Sequence, residues 1–153
     1  MTRPRLSLRP YRPGDMDRFT PRADFEQERA AVGWAWKGAP PPGRTWTLVR
    51  ESAVFTYVLG VGGLFEASPS HWHAWAVMSD MGPREWVEAG KLAGQVLDGV
   101  DLFNGPQQMT ATARASIEGA RGYLEKLGFR ANGEVIDERV GDRVIYQLMV
   151  RAA

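Results

Sequence analysis

Two histidines separated by one residue are the clearest candidates for chemistry in this chain of 153 residues, which has no other histidine. His71 and His73 lie in an apolar and aromatic run whose alternation places both on one face of a strand. An imidazole titrates near neutral pH, so either ring could accept a proton from a substrate. The spacing also suits two metal ligands, but no third ligand stands at a suitable spacing, and we predict no metal site. Alternatively, both rings are half-buried beside Trp72 and Trp75 and have no catalytic role.

The amino-acid composition is that of a globular protein and excludes several functional classes. The chain has no cysteine, which rules out disulfides, thiolate metal sites and cysteine nucleophiles. Nineteen basic and eighteen acidic residues give a net charge of +1, which argues against a nucleic-acid-binding role. The motifs GxGxxG, GxxxxGK[ST], GxSxG and HExxH are absent. No apolar run approaches the ~18–20 residues of a membrane span, so we expect no membrane association.

Alternating and β-branched segments predict seven strands. These are residues 5–9, 45–50, 54–65, 71–78, 108–113, 133–139 and 143–150. Glu51–Ala53 and Gly141-Asp142 are predicted as hairpin turns between neighbouring strands, and the prolines at 40–42 mark a loop.

Apolar residues at helical spacing predict the helices between these strands. Two short helices are expected within 15–36, with Asp15 as an N-cap, and longer ones at 83–100 and 118–127, the last capped by Ser116. The order is therefore β-α-α-β-β-β-α-β-α-β-β. We predict a single domain over residues 1–153 of the α+β class, with mixed α/β character and one central sheet.

The last predicted helix and the residues after it carry the most specific pattern. The run Ala120–Phe129, ARGYLEKLGF, resembles the segment A-x-x-(hydrophobic)-Y-E-K-L-G-F of GNAT-fold N-acetyltransferases. The opening strand and the final strand pair also resemble that family, and the predicted element order matches it along nearly the whole chain. Only Glu125–Phe129 is specific, and alone it is also the pattern of a helix end followed by glycine. The resemblance implies a GNAT-like mixed sheet flanked by helices, and acetyl-CoA as the substrate that acylates an amine.

The resemblance implies contacts to acetyl-CoA at the turn 79–86. In the family, a loop of the type Q/R-x-x-G-x-G/A opens a helix and binds pyrophosphate through backbone N–H groups. This chain keeps Gly82 and Arg84 there, but Pro83 has no N–H and Glu85 adds negative charge. The turn is either a degenerate pyrophosphate loop or an ordinary connection from strand to helix.

The resemblance further implies that the pantetheine arm of acetyl-CoA adds to the edge of the central strand like an extra strand. The backbone of Ala76, Val77 and Met78 would then make the contacts. Such contacts depend on peptide groups and need no particular side chain. A member of the fold that has lost its loop motif could therefore still bind the coenzyme.

The resemblance also implies a general acid and a general base. Many members use a tyrosine of the last helix to protonate the thiolate of CoA. That position falls on Leu124 here, while Tyr123 lies one residue earlier, about 100° around the helix. Tyr123 is therefore a displaced candidate for the acid. The candidates for the base that deprotonates the amine are His73 on the central strand and Glu66 after the preceding strand.

A closer resemblance is to the GNAT-like proteins of tailed phages, carried by residues 74–79 (AWAVMS) and 122–134 (GYLEKLGFRANGE). It implies a phage-encoded protein located in the host cytoplasm or in the virion. Two hypotheses stay open. The chain is an N-acetyltransferase acting on an unknown amine, or a catalytically inactive module that binds phage or host proteins as a structural or adaptor part. A homodimer formed through the last hairpin is a further hypothesis.

Overall fold

The structure is a computed structural model that describes residues 5–22, 43–68, 71–99, 108–114, 119–137 and 144–152. Its strands are β1 (Leu6–Pro10), β2 (Arg44–Glu51), β3 (Thr56–Ser68), β4 (His71–Met78), β5 (Gln108–Arg114), β6 (Arg130–Asp137) and β7 (Val144–Ala152). Its helices are α1 (Pro83–Gly99) and α2 (Ala120–Lys126), and a 3-10 turn covers Asp15–Asp17.

The strands form a mixed sheet flanked by helices, in the order β1-β2-β3-β4-β5-β7-β6. β4 and β5 are parallel, whereas β1 and β2, β5 and β7, and β6 and β7 are antiparallel. The crossover from β4 to β5 runs through α1, as a parallel pair requires. The predicted fold class, an α+β fold with one central mixed sheet, is confirmed.

The boundaries of β4 and α1 agree closely with the pattern of the sequence. β4 covers the predicted residues, and α1 begins at Pro83, where a missing N–H is harmless in the first helical turn. The hairpin between β2 and β3 is longer than predicted, because Ser52 N–H donates to Phe55 O at 2.8 Å and Ser52 Oγ accepts from Phe55 N–H at 3.0 Å. The turn therefore extends to Phe55, and β3 begins at Thr56 rather than at residue 54.

The beginning of α2 differs from the prediction. The helix begins at Ala120 instead of residue 118, after Gly119, which has a left-handed φ of 89° and makes no side-chain cap hydrogen bond. The predicted cap Ser116 lies outside the described residues, as do the proline loop at 40–42, the Gly141-Asp142 turn and the part of 15–36 that follows Arg22.

The end of α2 explains the most specific part of the sequence pattern. Gly128 has a φ of 95°, its N–H donates to Glu125 O at 3.0 Å, and Phe129 N–H donates to Leu124 O at 3.0 Å. This is the Schellman arrangement that glycine permits at a helix C-terminus. Phe129 is 1% exposed and enters the core directly after the turn. The run Glu125–Phe129 therefore ends a helix and anchors it.

The described residues fall into two compact units. The first joins Met1–Gly63 to Ala76–Leu92 and has an apolar cluster in which Leu8, Met78, Met81 and Leu92 pack against buried side chains, namely Leu6, Leu48, Leu59 and Ala89. Strands β1, β2 and β3 and one face of α1 supply the buried side chains of this core.

The second unit joins Leu64–Trp75 to Ala93–Ala153. Its core contains Met109, Phe129 and Met149, each at most 1% exposed. Arg151 of β7 donates from Nε to Leu127 O at 3.0 Å and from Nη1 to Leu97 O at 3.4 Å, and it pairs with Asp98. A guanidinium is thus placed on the last carbonyls of α1 and beside the end of α2, where cations stabilise helix termini.

The 3-10 turn corrects the predicted role of Asp15. Gly14 precedes the turn with a left-handed φ of 90°, and no side chain caps it. The Asp15 side chain instead lies buried against β1 and β2, where it binds Arg9 and Thr47. Among the described helices, none has the length and hydropathy needed to span a membrane.

Candidate functional site

The parallel pairing of β4 with β5 is short. It holds three pairs within the described residues: His71 with Gln108, Trp72 with Met109, and His73 with Thr110. β4 nevertheless continues to Met78. Its last residues therefore present a strand edge that the β5 ladder does not use.

The direction of the peptide groups decides what this edge offers. Ser79 N–H donates to Leu59 O of β3 at 2.9 Å, so the peptide groups alternate and those of Val77 also face β3. Ala76 and Met78 direct theirs to the other edge, where Met78 O accepts from Arg22 N–H at 2.9 Å. Of the three residues predicted to contact the coenzyme, Ala76 and Met78 have peptide groups on this edge.

A glycine on β3 fixes the position of this part of β4. A Cβ at Gly60 would lie 2.5 Å from Met78 Sδ and 2.8 Å from Val77 O. The sulfur belongs to a flexible side chain, but the carbonyl oxygen is part of the β4 backbone and moves only with the strand. Gly60 is therefore required for the close approach of β3 and β4.

The substitution Gly60→Ala is expected to lower the free energy of unfolding by ~1–3 kcal/mol, the usual cost of overpacking. Gly122→Ala is the matched control, because Gly122 lies in α2 and a Cβ there meets nothing within 4 Å. Removing a helical glycine should be neutral or stabilising by up to about 1 kcal/mol. Urea denaturation followed by circular dichroism measures both, and equal effects would contradict the close approach.

The turn before α1 has an acidic side chain at its centre. Gly82 N–H donates to Glu85 Oε1 at 3.2 Å, and the other carboxylate oxygen of Glu85 accepts from Arg50 Nη1 at 2.9 Å. A residue three positions into the helix that reaches back to the N-cap N–H is half of a capping box. Ser79 Oγ, in contrast, donates to Leu59 O of β3 at 2.7 Å.

This arrangement bears on the predicted pyrophosphate contacts. Gly82 is at the predicted place, but its amide donates to a carboxylate, and Pro83 has no N–H to add. Arg84 is exposed beside them. In this conformation the Gly82 amide is not available to a pyrophosphate, and the Ala76 peptide groups face the edge of β4 that the described β4–β5 pairs do not use. The spacing Gly82-x-x-Glu85 was the signal in the sequence for the capping role of Glu85.

The two histidines converge on one hydroxyl group, as their shared face on β4 predicts. His71 Nε2 lies 2.6 Å and His73 Nδ1 lies 3.0 Å from Thr110 Oγ1 on β5. Thr110 is 6% exposed, and the Phe65 ring packs at 5.4 Å from the His73 ring. Burial, followed by the charge of His71, lowers the pKa of His73 below its ordinary value of 6.5. His73 is therefore neutral at pH 7 and able to accept a proton.

The other two catalytic candidates predicted from the sequence are Tyr123 and Glu66. Tyr123 lies in α2 and is half-buried, and this burial raises the pKa of its hydroxyl, which keeps it protonated. Glu66 lies in β3, and its side chain is outside the described part of the structure. Within the described residues no three acidic or histidine side chains come together as metal ligands. Thr110 is the polar partner that sequence reasoning missed.

Comparison with known proteins assigns the fold. No protein-family model and no curated protein sequence matches the chain. Among solved structures, a GCN5-related N-acetyltransferase from Kribbella flavida is 18% identical, with a TM-score of 0.66 over 97% of this chain and 98% of that one. A GNAT-family acetyltransferase from Bacillus anthracis is 10% identical, with a TM-score of 0.63 over 97% of this chain and 95% of that one.

A third structure, Arabidopsis thaliana NAA60 in complex with a bisubstrate analogue, is 12% identical, with a TM-score of 0.64 over 97% of this chain and 99% of that one. At these identities the likeness concerns the backbone and extends from end to end. Together with the strand order and the short β4–β5 ladder, it shows that the chain has the GNAT fold.

Proposed function

We propose that the chain is an N-acetyltransferase that uses acetyl-CoA to acylate an amine. The observation that carries this proposal is the edge of β4 that continues past the three β4–β5 pairs. A pantetheine arm is an extended chain with two amide groups, and it can pair with such an edge as a strand would. The names of the similar structures, N-acetyltransferases among them, support the same activity.

The coenzyme would be held mainly by backbone groups. Ala76 directs its N–H and C=O to the edge. Met78 directs its N–H there, while its carbonyl accepts a hydrogen bond from Arg22 N–H. Val77 lies between them and faces β3. Gly82 and Arg84 would meet the pyrophosphate only after Glu85 leaves the Gly82 amide. Arg84 would then supply a charged hydrogen bond to the phosphate.

The proton transfers have candidates of suitable pKa. His73 is the base in this proposal, because its lowered pKa leaves it neutral at pH 7. Glu66 is the other predicted base. Tyr123 is the candidate acid, since its raised pKa keeps the proton that the departing thiolate of CoA must receive. The acceptor amine gives its ammonium proton to the base, and its lone pair then attacks the thioester.

Calorimetric titration of acetyl-CoA tests the proposal. We expect micromolar binding that Arg84→Ala weakens by about threefold to tenfold, the range of one partly exposed charge contact. Glu85→Gln should strengthen binding by a similar factor, because it removes a negative charge from the phosphate position and a neutral side chain leaves the Gly82 amide more readily.

The control for this titration is Glu125→Gln, which removes an exposed carboxylate that pairs with Arg121 on α2. It should leave the affinity unchanged. Absence of binding by the wild type and by Glu85→Gln at millimolar acetyl-CoA would refute the proposed activity. An unchanged affinity in Glu85→Gln, with binding retained, would show that the phosphates lie elsewhere.

A second candidate function is favoured by the same turn. Glu85 occupies the amide that a working loop offers to phosphate, and Arg50 holds the carboxylate there. A GNAT-fold protein with this arrangement fixed would act through protein contacts, as a structural, adaptor or host-interaction module. Its resemblance to the GNAT-like proteins of tailed phages supports a phage or host partner and a place in the virion or the host cytoplasm. Absence of acetyl-CoA binding in the titration would favour this function over acetyl transfer.

A further inference from the structure

One hydroxyl group serves two imidazole rings. Thr110 Oγ1 lies within hydrogen-bond distance of His71 Nε2 and of His73 Nδ1. The register pairs His73 with Thr110, and His71 lies two residues earlier on the same face of β4. All three belong to the second compact unit. A threonine hydroxyl has a single hydrogen, so it can donate to only one of the two nitrogens. When both rings are neutral, the other nitrogen must carry its own hydrogen and donate to the oxygen.

The two distances favour one assignment of the hydroxyl hydrogen. Bonds from hydroxyl donors are shorter, commonly about 2.7–2.8 Å, than bonds from N–H donors, commonly about 2.9–3.0 Å. The contact to His71 Nε2 is 2.6 Å, and the contact to His73 Nδ1 is 3.0 Å. The shorter contact favours Thr110 as the donor to His71, and in that assignment His73 donates its Nδ1–H to Thr110. A neutral ring has one N–H, which leaves Nε2 of His73 with its lone pair.

We propose that Thr110 and His71 are positioning residues that hold His73 in the tautomer protonated on Nδ1, so that Nε2 is kept as the proton acceptor. The catalytic value of this arrangement rests on the proposed function, in which His73 is the base, whereas the tautomer itself does not. A proton taken from the amine at Nε2 makes the imidazolium. Its Nδ1–H still donates to Thr110, so no hydrogen bond of the trio is lost during the transfer.

Nitrogen NMR of the histidine rings tests the tautomer directly. The chain has two histidines, so long-range ¹H–¹⁵N spectra contain two ring systems, and they are recorded at about pH 8, above the ordinary pKa of an imidazole. We expect both rings to carry hydrogen on Nδ1 and none on Nε2. A His71→Gln variant assigns the signals. A wild-type His73 ring with hydrogen on Nε2, or with averaged nitrogen shifts, would overturn the proposal without any variant.

Substitutions on β5 distinguish the effect of the Thr110 hydroxyl group from the effect of altering the strand itself. Thr110→Val should release both rings into averaged nitrogen shifts, while Thr110→Ser keeps the hydroxyl and should retain the wild-type pattern. Thr112→Val is the control, because it is the same exchange at an exposed position of the same strand. If Thr110→Val does not fold, the wild-type and Thr110→Ser spectra still decide. Unchanged shifts in a folded Thr110→Val would contradict the proposal.

Kinetics distinguish this inference from the proposed function. In an active enzyme, Thr110→Val should lower kcat at least 10-fold, as part of the ~10²–10⁴ that a general base contributes, with the KM for acetyl-CoA unchanged and activity restored in Thr110→Ser. If acetyl transfer is absent with every amine, the proposed function fails while the NMR result still decides the tautomer. A fixed tautomer combined with full kcat in Thr110→Val would remove its catalytic role.

Discussion

Replacing Asp15 with asparagine is expected to lower the free energy of unfolding by about 3–5 kcal/mol, because it leaves Arg9 without its charge partner in a buried site. The Asp15 side chain is 0% exposed. Arg9 Nη1 donates to Oδ2 at 2.7 Å and Nη2 donates to Oδ1 at 3.0 Å. Thr47 Oγ1 donates to Oδ2 at 2.6 Å, and Arg12 N–H donates to it at 2.8 Å. The carboxylate thus joins β1, β2 and the 3-10 turn.

The same contacts make this contribution depend on pH. Burial raises the pKa of Asp15, but the hydrogen bonds from Arg9, Thr47 and Arg12 outweigh it and lower the pKa to about 2 from an ordinary 3.8. A carboxyl whose pKa is lower in the folded state binds protons more weakly there. It stabilises the fold above pH ~4 and loses this stabilisation as the pH falls through about 2. The loss is roughly 2 kcal/mol.

Urea denaturation at several pH values between 7 and 2 measures both effects. The control is Asp17→Asn, an exposed carboxylate in the same 3-10 turn, which should unfold within about 0.5 kcal/mol of the wild type. The wild type should lose stability relative to Asp15→Asn as the pH falls toward 2. Equal midpoints for the two asparagine variants at pH 7 would show that the buried contacts add little.

The parts of the fold that sequence reasoning placed well depend on local signals. β4 is a run of alternating apolar residues, and α1 begins with proline. Residues at or next to each boundary therefore determine where both elements begin. The Glu125–Phe129 pattern is equally local, because the glycine and the following phenylalanine complete the helix end by themselves. These signals were enough to predict the order of the seven described strands with α1 and α2, and they carry the GNAT resemblance.

The parts that sequence reasoning missed depend on distant residues. Thr110 is 37 residues from His73, and only the parallel crossover through α1 brings its hydroxyl within hydrogen-bond distance of the His73 ring. Thr47 is 32 residues from Asp15, so the buried carboxylate looked like an ordinary helix cap. Glu85 is the exception, since its capping role is visible in the spacing from Gly82. A polar residue near a candidate site can therefore be placed only once the strand register is known.

The strand register places the Nδ1 side of His73 against Thr110, which leaves Nε2 as the nitrogen that can act as the base. The substitution His73→Asn is expected to lower kcat by ~10²–10⁴, the usual contribution of a general base. The asparagine amide can take the place of Nδ1 and keep the contact to Thr110, while the Nε2 position is lost. The reaction to follow is release of CoA thiol from acetyl-CoA with a panel of primary amines.

His71→Gln is the matched control for this loss, because its side-chain amide can take the place of Nε2 and keep a partner for Thr110. It should lower kcat only severalfold, since His71 acts through Thr110 and not on the amine. The two variants should bind acetyl-CoA equally, which a titration checks, because neither ring belongs to the edge formed by Ala76 and Met78. Equal losses of kcat in both variants would assign the rings a shared structural role. Full activity in His73→Asn would leave Glu66 as the base, since the amine must lose its proton before its lone pair can attack the thioester.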